Sequence, residues 1–162
     1  MQLLYHIEKA RKFVNSISGD QAQRMRHICR EIAAAQQRLN VEAEPYFVRC
    51  MQRCQGICCK NIHINEIVNM LDLIYILTMA PELFSTLKAS AANERIFSAD
   101  CLFLQNGTGP CLFPSDIKPE RCILTFCEDT TPIRQATRAV RSKFSKLSRY
   151  TKLRRPLFWI GI

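Results

Sequence analysis

Eight of the nine cysteines fall into two sets. Cys50, Cys54, Cys58 and Cys59 lie within ten residues, with Gly56 allowing the backbone to turn between them, and Cys101, Cys111, Cys122 and Cys127 form a wider second set. The thiolate is a soft donor that suits zinc, copper(I) and iron–sulfur clusters. Arg53, Lys60 and Arg121 stand near these thiols in sequence and would favour their ionised form. A structural zinc takes four ligands, so eight cysteines have the capacity for two zincs, or for one cluster with thiols to spare. In a reducing compartment, thiols at this density point to metal or redox chemistry rather than to disulfides. Standard ferredoxin spacing is absent, so cluster type does not follow from spacing; an iron–sulfur cluster, [4Fe–4S] favoured, is carried as the leading expectation for the cofactor, with zinc as the alternative.

The adjacent pair Cys58-Cys59 constrains the arrangement. Neighbouring side chains in extended backbone point to opposite faces, so the two do not easily serve one small tetrahedral ion. They could feed two sites, or reach different irons of one cluster, or one could bind while the other packs. His63 could complete a mixed site, although in the alternating segment 60–64 a half-buried histidine is the simpler reading. Cys29 stands alone on a helical apolar face and reads as a small buried hydrophobe. Gly107-Thr108-Gly109 lacks the Lys-Ser/Thr of a phosphate loop, and no acid/base pair or nucleophile elbow can be picked out.

The residues around these cysteines resemble a known family, the CxxCxxCC proteins described as zinc- or iron-chelating domains. The first match is Cys50, Cys54 and Cys58-Cys59, followed by an alternating apolar segment and Asn65-Glu66-Ile67. The second is Cys101-Leu102-Phe103-Leu104, Gly109-Pro110-Cys111-Leu112-Phe113, Lys118-Pro119, Cys122 and Phe126-Cys127. It is similar to the family's Cys-x-Phe-Leu, Gly-Cys-x-Ile-Tyr and Arg-Pro-x-x-Cys-Arg-x-Phe-x-Cys run and covers about residues 50–127. Lys118 and Ile123 replace the family's arginines, and the interval from Cys122 to Cys127 is about a residue longer. The resemblance implies a Cys-ligated iron–sulfur cluster or zinc held by the eight residues named above.

Charge supplies a second candidate site. Residues 1–129 carry 14 Lys/Arg against 14 Asp/Glu, whereas the last 33 residues carry nine Lys/Arg and no acid. Within that segment Ile133, Ala136, Val140, Phe144 and Leu147 make one apolar face, and Arg134, Arg138, Arg141, Arg149 and Lys152 lie largely on the other. These five are candidates for contact with nucleic acid or an acidic partner. Nucleic acid is the weaker expectation, because no aromatic platform is interleaved with the charges. A protein or redox partner is expected, of unknown identity.

The elements that must position these residues are mainly helical. The expected fold is a small single domain, 1–162, with a minor β-hairpin and a cysteine-rich metal site. Its parts are N-terminal helices over 1–45, the cysteine region 50–127, and a basic amphipathic C-terminal helix over 131–155. Periodicity predicts helices over 1–17 and 21–39, with Asp20 as a cap, then from Asn65 to about 79 and from Pro81 to about 91. Asn106-Gly107 predicts a hairpin over 101–113, and Thr131-Pro132 opens the basic helix. The apolar tail 157–162 could touch a membrane surface or dimerise; packing on the domain is the simpler expectation. The segment 64–80 is interrupted by polar residues and is no transmembrane helix. The N-terminus shows no signal-peptide pattern, and a cytoplasmic location is the default expectation. The leading expectation is a cluster-bearing protein with an accessory, electron-transfer, sensing or maturation role. A structural-zinc module binding nucleic acid or an acidic partner stands second, and a metalloenzyme third.

Overall fold

The computed structural model describes residues 2–53, 67–92, 101–105 and 111–152, with the backbone alone for Cys50 and Met51. The helices among them are α1 (Gln2–Ser16), α2 (Gly19–Glu42), α3 (Glu44–Arg53), α4 (Met70–Met79), α5 (Leu83–Ala92), α6 (Glu120–Leu124) and α7 (Arg134–Lys152). None is long and apolar enough to cross a membrane.

Each boundary has a local cause. Between α1 and α2, Ser18 is extended and Gly19 takes φ +55°, a left-handed value open to glycine without steric cost. Ser18 therefore holds the N-cap position expected of Asp20, which sits instead in the first turn, where its charge complements the helix dipole. Asn69 caps α4 by accepting from the N–H groups of Leu71 and Asp72, and the Asp72 carboxylate accepts from Asn69 N–H in return, a reciprocal capping box. The expected cap Asn65 lies outside the described residues. Pro81 and Glu82 form the turn before α5 rather than its first residues.

α4 is the centre of the packing. Leu73, Ile74, Tyr75, Ile76 and Leu77 are buried in succession, so the helix is apolar on every side and must be surrounded. It lies against α1 and α2; α1 also meets α5, and the other side of α2 carries α7. α1 contributes Leu3, Ile7, Ala10 and Phe13, and α2 contributes Met25, Ile28, Cys29, Ile32, Ala35 and Leu39. The rings of Tyr75 and Phe144 meet edge-to-face with centroids 5.3 Å apart, which ties α4 to α7 at the core.

Side chains of these helices hold the irregular segment 114–120 by its backbone. Gln36 pairs with Lys118, Asn40 Nδ2 donates to Ser115 O at 2.8 Å, and the Tyr75 hydroxyl donates to Asp116 O at 2.9 Å. Asp72 Oδ1 accepts from Glu120 N–H at 2.8 Å, at the first residue of α6. The buried Asp72 thus joins the starts of two helices that are 48 residues apart in sequence.

The expected β-hairpin over 101–113 is corrected. Among the described residues there is no strand, only an isolated antiparallel bridge between Leu104 and Cys111. Leu112 N–H donates to Phe103 O at 2.7 Å, but Leu104 N–H turns back to Cys101 O at 3.1 Å, so the chain curls before a ladder can extend. Phe103 and Phe113 sit in the core with ring centroids 4.8 Å apart, and their burial fixes this turn. Asn106 and Gly107 lie outside the described residues, as do the segment 60–64 and the tail 153–162.

Candidate anion-binding site

The structure does not support the metal centre. Among the described residues, no group of three or more His, Cys, Asp or Glu could hold a metal ion. Cys101 is buried, Cys111 and Cys122 are half-buried, and Cys127 is exposed. Burial pushes the Cys101 thiol up, away from the thiolate that a metal requires. Cys122 rides on α6 beside the buried Ile123, and Cys127 stands in the exposed stretch that follows. Cys54, Cys58, Cys59, His63 and the side chain of Cys50 lie outside the described residues. The expected iron–sulfur cluster, the zinc alternative and the cluster-based roles are corrected accordingly.

The helix bearing Cys50 does meet the segment bearing Cys127, through other residues. The Phe126 ring lies 5.8 Å from Tyr46 and 5.7 Å from Phe47, centroid to centroid. Glu128 bridges Arg49 at 2.8 Å and Arg53 at 3.0 Å. Arg53, expected to offset thiolate charge, is thus spent on a carboxylate. Cys29, expected as a buried hydrophobe, is one: it is fully buried, and its thiol is pushed up to about 12 by desolvation.

α7 separates its cations by face. Ala136, Val140, Phe144, Leu147 and Thr151 are buried. On one flank, Lys143 and Lys146 reach Glu31 of α2 at 3.4 and 2.6 Å, holding its carboxyl below the usual range. Arg134, Arg138, Arg141, Arg149 and Lys152 are all exposed. At about 100° per residue they fall within an arc of roughly 80° on the opposite flank. Among the described residues, none of these five forms an ion pair. Glu120, half-buried on α6, feels the charges of Arg141 and Arg121, but desolvation outweighs them and its carboxyl is raised.

At the start of α7 the arginines open onto a cleft of about 350 Å³ lined by Leu124, Thr130, Thr131, Arg134, Thr137, Arg138 and Arg141. The helix enters it through the 3₁₀ turn Thr131–Ile133, with Pro132 in the first positions. Asp129 Oδ1 accepts from both the N–H (3.0 Å) and the hydroxyl (2.7 Å) of Thr131, which fixes the entry. The N–H groups of Ile133 and Arg134 are consumed by Thr130 O and Thr131 O. The positive character of the cleft therefore comes mainly from three guanidinium groups, with the helix dipole adding to it. Leu124 is the apolar member of the lining, and no carboxylate belongs to it.

Arg134, Arg138 and Arg141 are spaced four and three residues apart on one face. Like charges so placed destabilise a bare helix by about 0.2–0.5 kcal/mol per pair. A groove of about 480 Å³ elsewhere, between α2, α3 and the segment 115–116, is lined by Glu44 and Asp116 and is a poor place for an anion.

The charge pattern pointed to the three arginines but not to Thr130, Thr131, Thr137 or Leu124. Thr137 follows Arg134 by three residues, on the same side of the helix, and that spacing was the signal available in the sequence. No family model, no curated protein and no solved structure matches the chain, so the resemblance to the CxxCxxCC proteins is also set aside.

Proposed function

We propose that this protein is an anion-binding module that holds a phosphate-bearing ligand in the cleft at the start of α7. The observation that carries this reading is the convergence of Arg134, Arg138 and Arg141 with three threonines around one cavity without a carboxylate in its lining. A guanidinium presents its donors as a planar fork that matches phosphate oxygens two at a time. Of the threonine hydroxyls at the cleft wall, Thr131 and Thr137 already donate to Asp129 Oδ1 and Arg134 O, which leaves Thr130 as the neutral donor. We place the protein in the cytoplasm, a reading supported by the thiol-rich chain.

The test is calorimetric titration of the chain with pyrophosphate at low salt. Replacing Arg134 and Arg138 by Gln should weaken binding by about tenfold per arginine, the size of a lost charged hydrogen bond. Circular dichroism should show the helix content unchanged. No binding to the parent chain, or equal binding to the variant, would sink the proposal.

A further inference from the structure

The cationic row does not stop at the cleft. Beyond Arg141 the same face carries Ser145, then Arg149 and Lys152. From Arg134 to Lys152 the row is about 27 Å long at 1.5 Å per residue. α7 carries no acidic residue to interrupt it.

We infer that the cleft is one end of a longer site, and that a nucleic-acid duplex lies along α7, held by its phosphates and not by its bases. This rests on the anion-binding reading of the cleft and extends it to a partner. A duplex presents about one negative charge per 1.7 Å of its axis, so a straight row of this length faces many phosphates at once. The other polyanions fit less well. A membrane-surface helix inserts its apolar face, but that face of α7 is occupied: Val140, Phe144 and Leu147 are at most 1% exposed, packed in the core. A single strand is gripped largely by stacking on aromatic rings. Of the aromatic residues on α7, Phe144 is buried, and the Tyr150 hydroxyl is committed to Gln21 O at 2.8 Å. Arginine and lysine on a duplex backbone read no sequence, so binding should be indifferent to it.

The experiment is fluorescence anisotropy of the full chain with labelled 20-bp DNA and RNA duplexes between 50 and 200 mM KCl. Each phosphate contact adds about 0.9 to the slope of log affinity against log salt. The variant Arg149→Gln/Lys152→Gln should therefore show a slope smaller by about 1.8, losing about 12-fold less affinity across that range than its parent. It should bind pyrophosphate as the parent does, because neither residue lines the cleft. Scrambling the duplex sequence should change nothing, and the tighter of the two duplexes names the source. An unchanged slope in the variant would overturn the extended site while leaving the cleft intact. So would tighter binding to a single strand or to anionic vesicles, or equal competition by polyglutamate. Failure of the parent to bind pyrophosphate would remove the cleft reading itself.

Discussion

Gln36 and Lys118 exchange two hydrogen bonds across 82 residues of sequence: Gln36 Nε2 donates to Lys118 O at 2.8 Å, and Lys118 N–H donates to Gln36 Oε1 at 2.9 Å. A fully buried side-chain amide on α2 thus pairs with a peptide group as a neighbouring strand would. It satisfies backbone that would otherwise be stranded beside the core. Replacing Gln36 by Leu should cost about 2–4 kcal/mol, since both orphaned groups keep their desolvation penalty. Urea unfolding measures it, and a loss below about 0.5 kcal/mol would mean that water or a local shift replaces the pairing.

Asp72 makes stability depend on pH in a direction opposite to that of most carboxylates. Burial lifts it from 3.8 to about 6, against the opposing hydrogen bonds from Asn69 and Glu120 N–H. The folded chain binds this proton more tightly than the unfolded chain. The stabilisation is therefore fully present below about pH 4 and is lost as pH rises through 6, by about 3 kcal/mol. Glu31 is depressed and works the other way, so the parent must be compared with Asp72→Asn at each pH. The parent should gain on the variant between pH 7 and pH 4.5. A flat difference would show that the carboxyl is not perturbed.

Thiol reactivity should follow burial. Cys127 is exposed and should react first among the described cysteines, whereas Cys29 is fully buried, with its thiol pushed up to about 12. Peptide mapping after brief alkylation of the native chain should find Cys127 modified and Cys29 modified only in denaturant. Early modification of Cys29 would mean that α2 and α4 open locally.

The contact between Tyr75 and Phe144 can be taken apart in two steps. Tyr75→Phe keeps the ring and removes the bond to Asp116 O, with an expected loss of about 1 kcal/mol. Phe144→Ala removes the edge-to-face partner and leaves a cavity, with an expected loss of about 3–5 kcal/mol. Thermal unfolding ranks them, and a reversed order would contradict this picture of the core.

The helices were legible because their signals are local. The spacing of Met25, Ile28, Cys29 and Ile32 marks the buried face of α2, and the apolar run 73–77 marks α4 as the most enclosed helix. The curl at 101–104 was not legible, because Asn-Gly predicts a turn whatever its flanks do, and burial of Phe103 and Phe113 decides the flanks. The thiol pattern misled for a related reason. Composition shows which residues could ligate, but not that Cys101 belongs to the core or that Arg53 is paired with Glu128. Of the cleft, the arginines were visible as a charge pattern. The threonines were hidden, since their role depends on how the turn before Pro132 folds back.

The anchoring of α7 bears on the energetics of whatever it binds. Its inner face is locked by Val140, Phe144 and Leu147, and its flank is pinned by Glu31 and by Gln21. The guanidinium groups therefore project from a rod that need not fold on binding, and the entropy lost is confined to a few side-chain rotors. Little apolar surface remains to be covered, so the heat-capacity change of association should be close to zero.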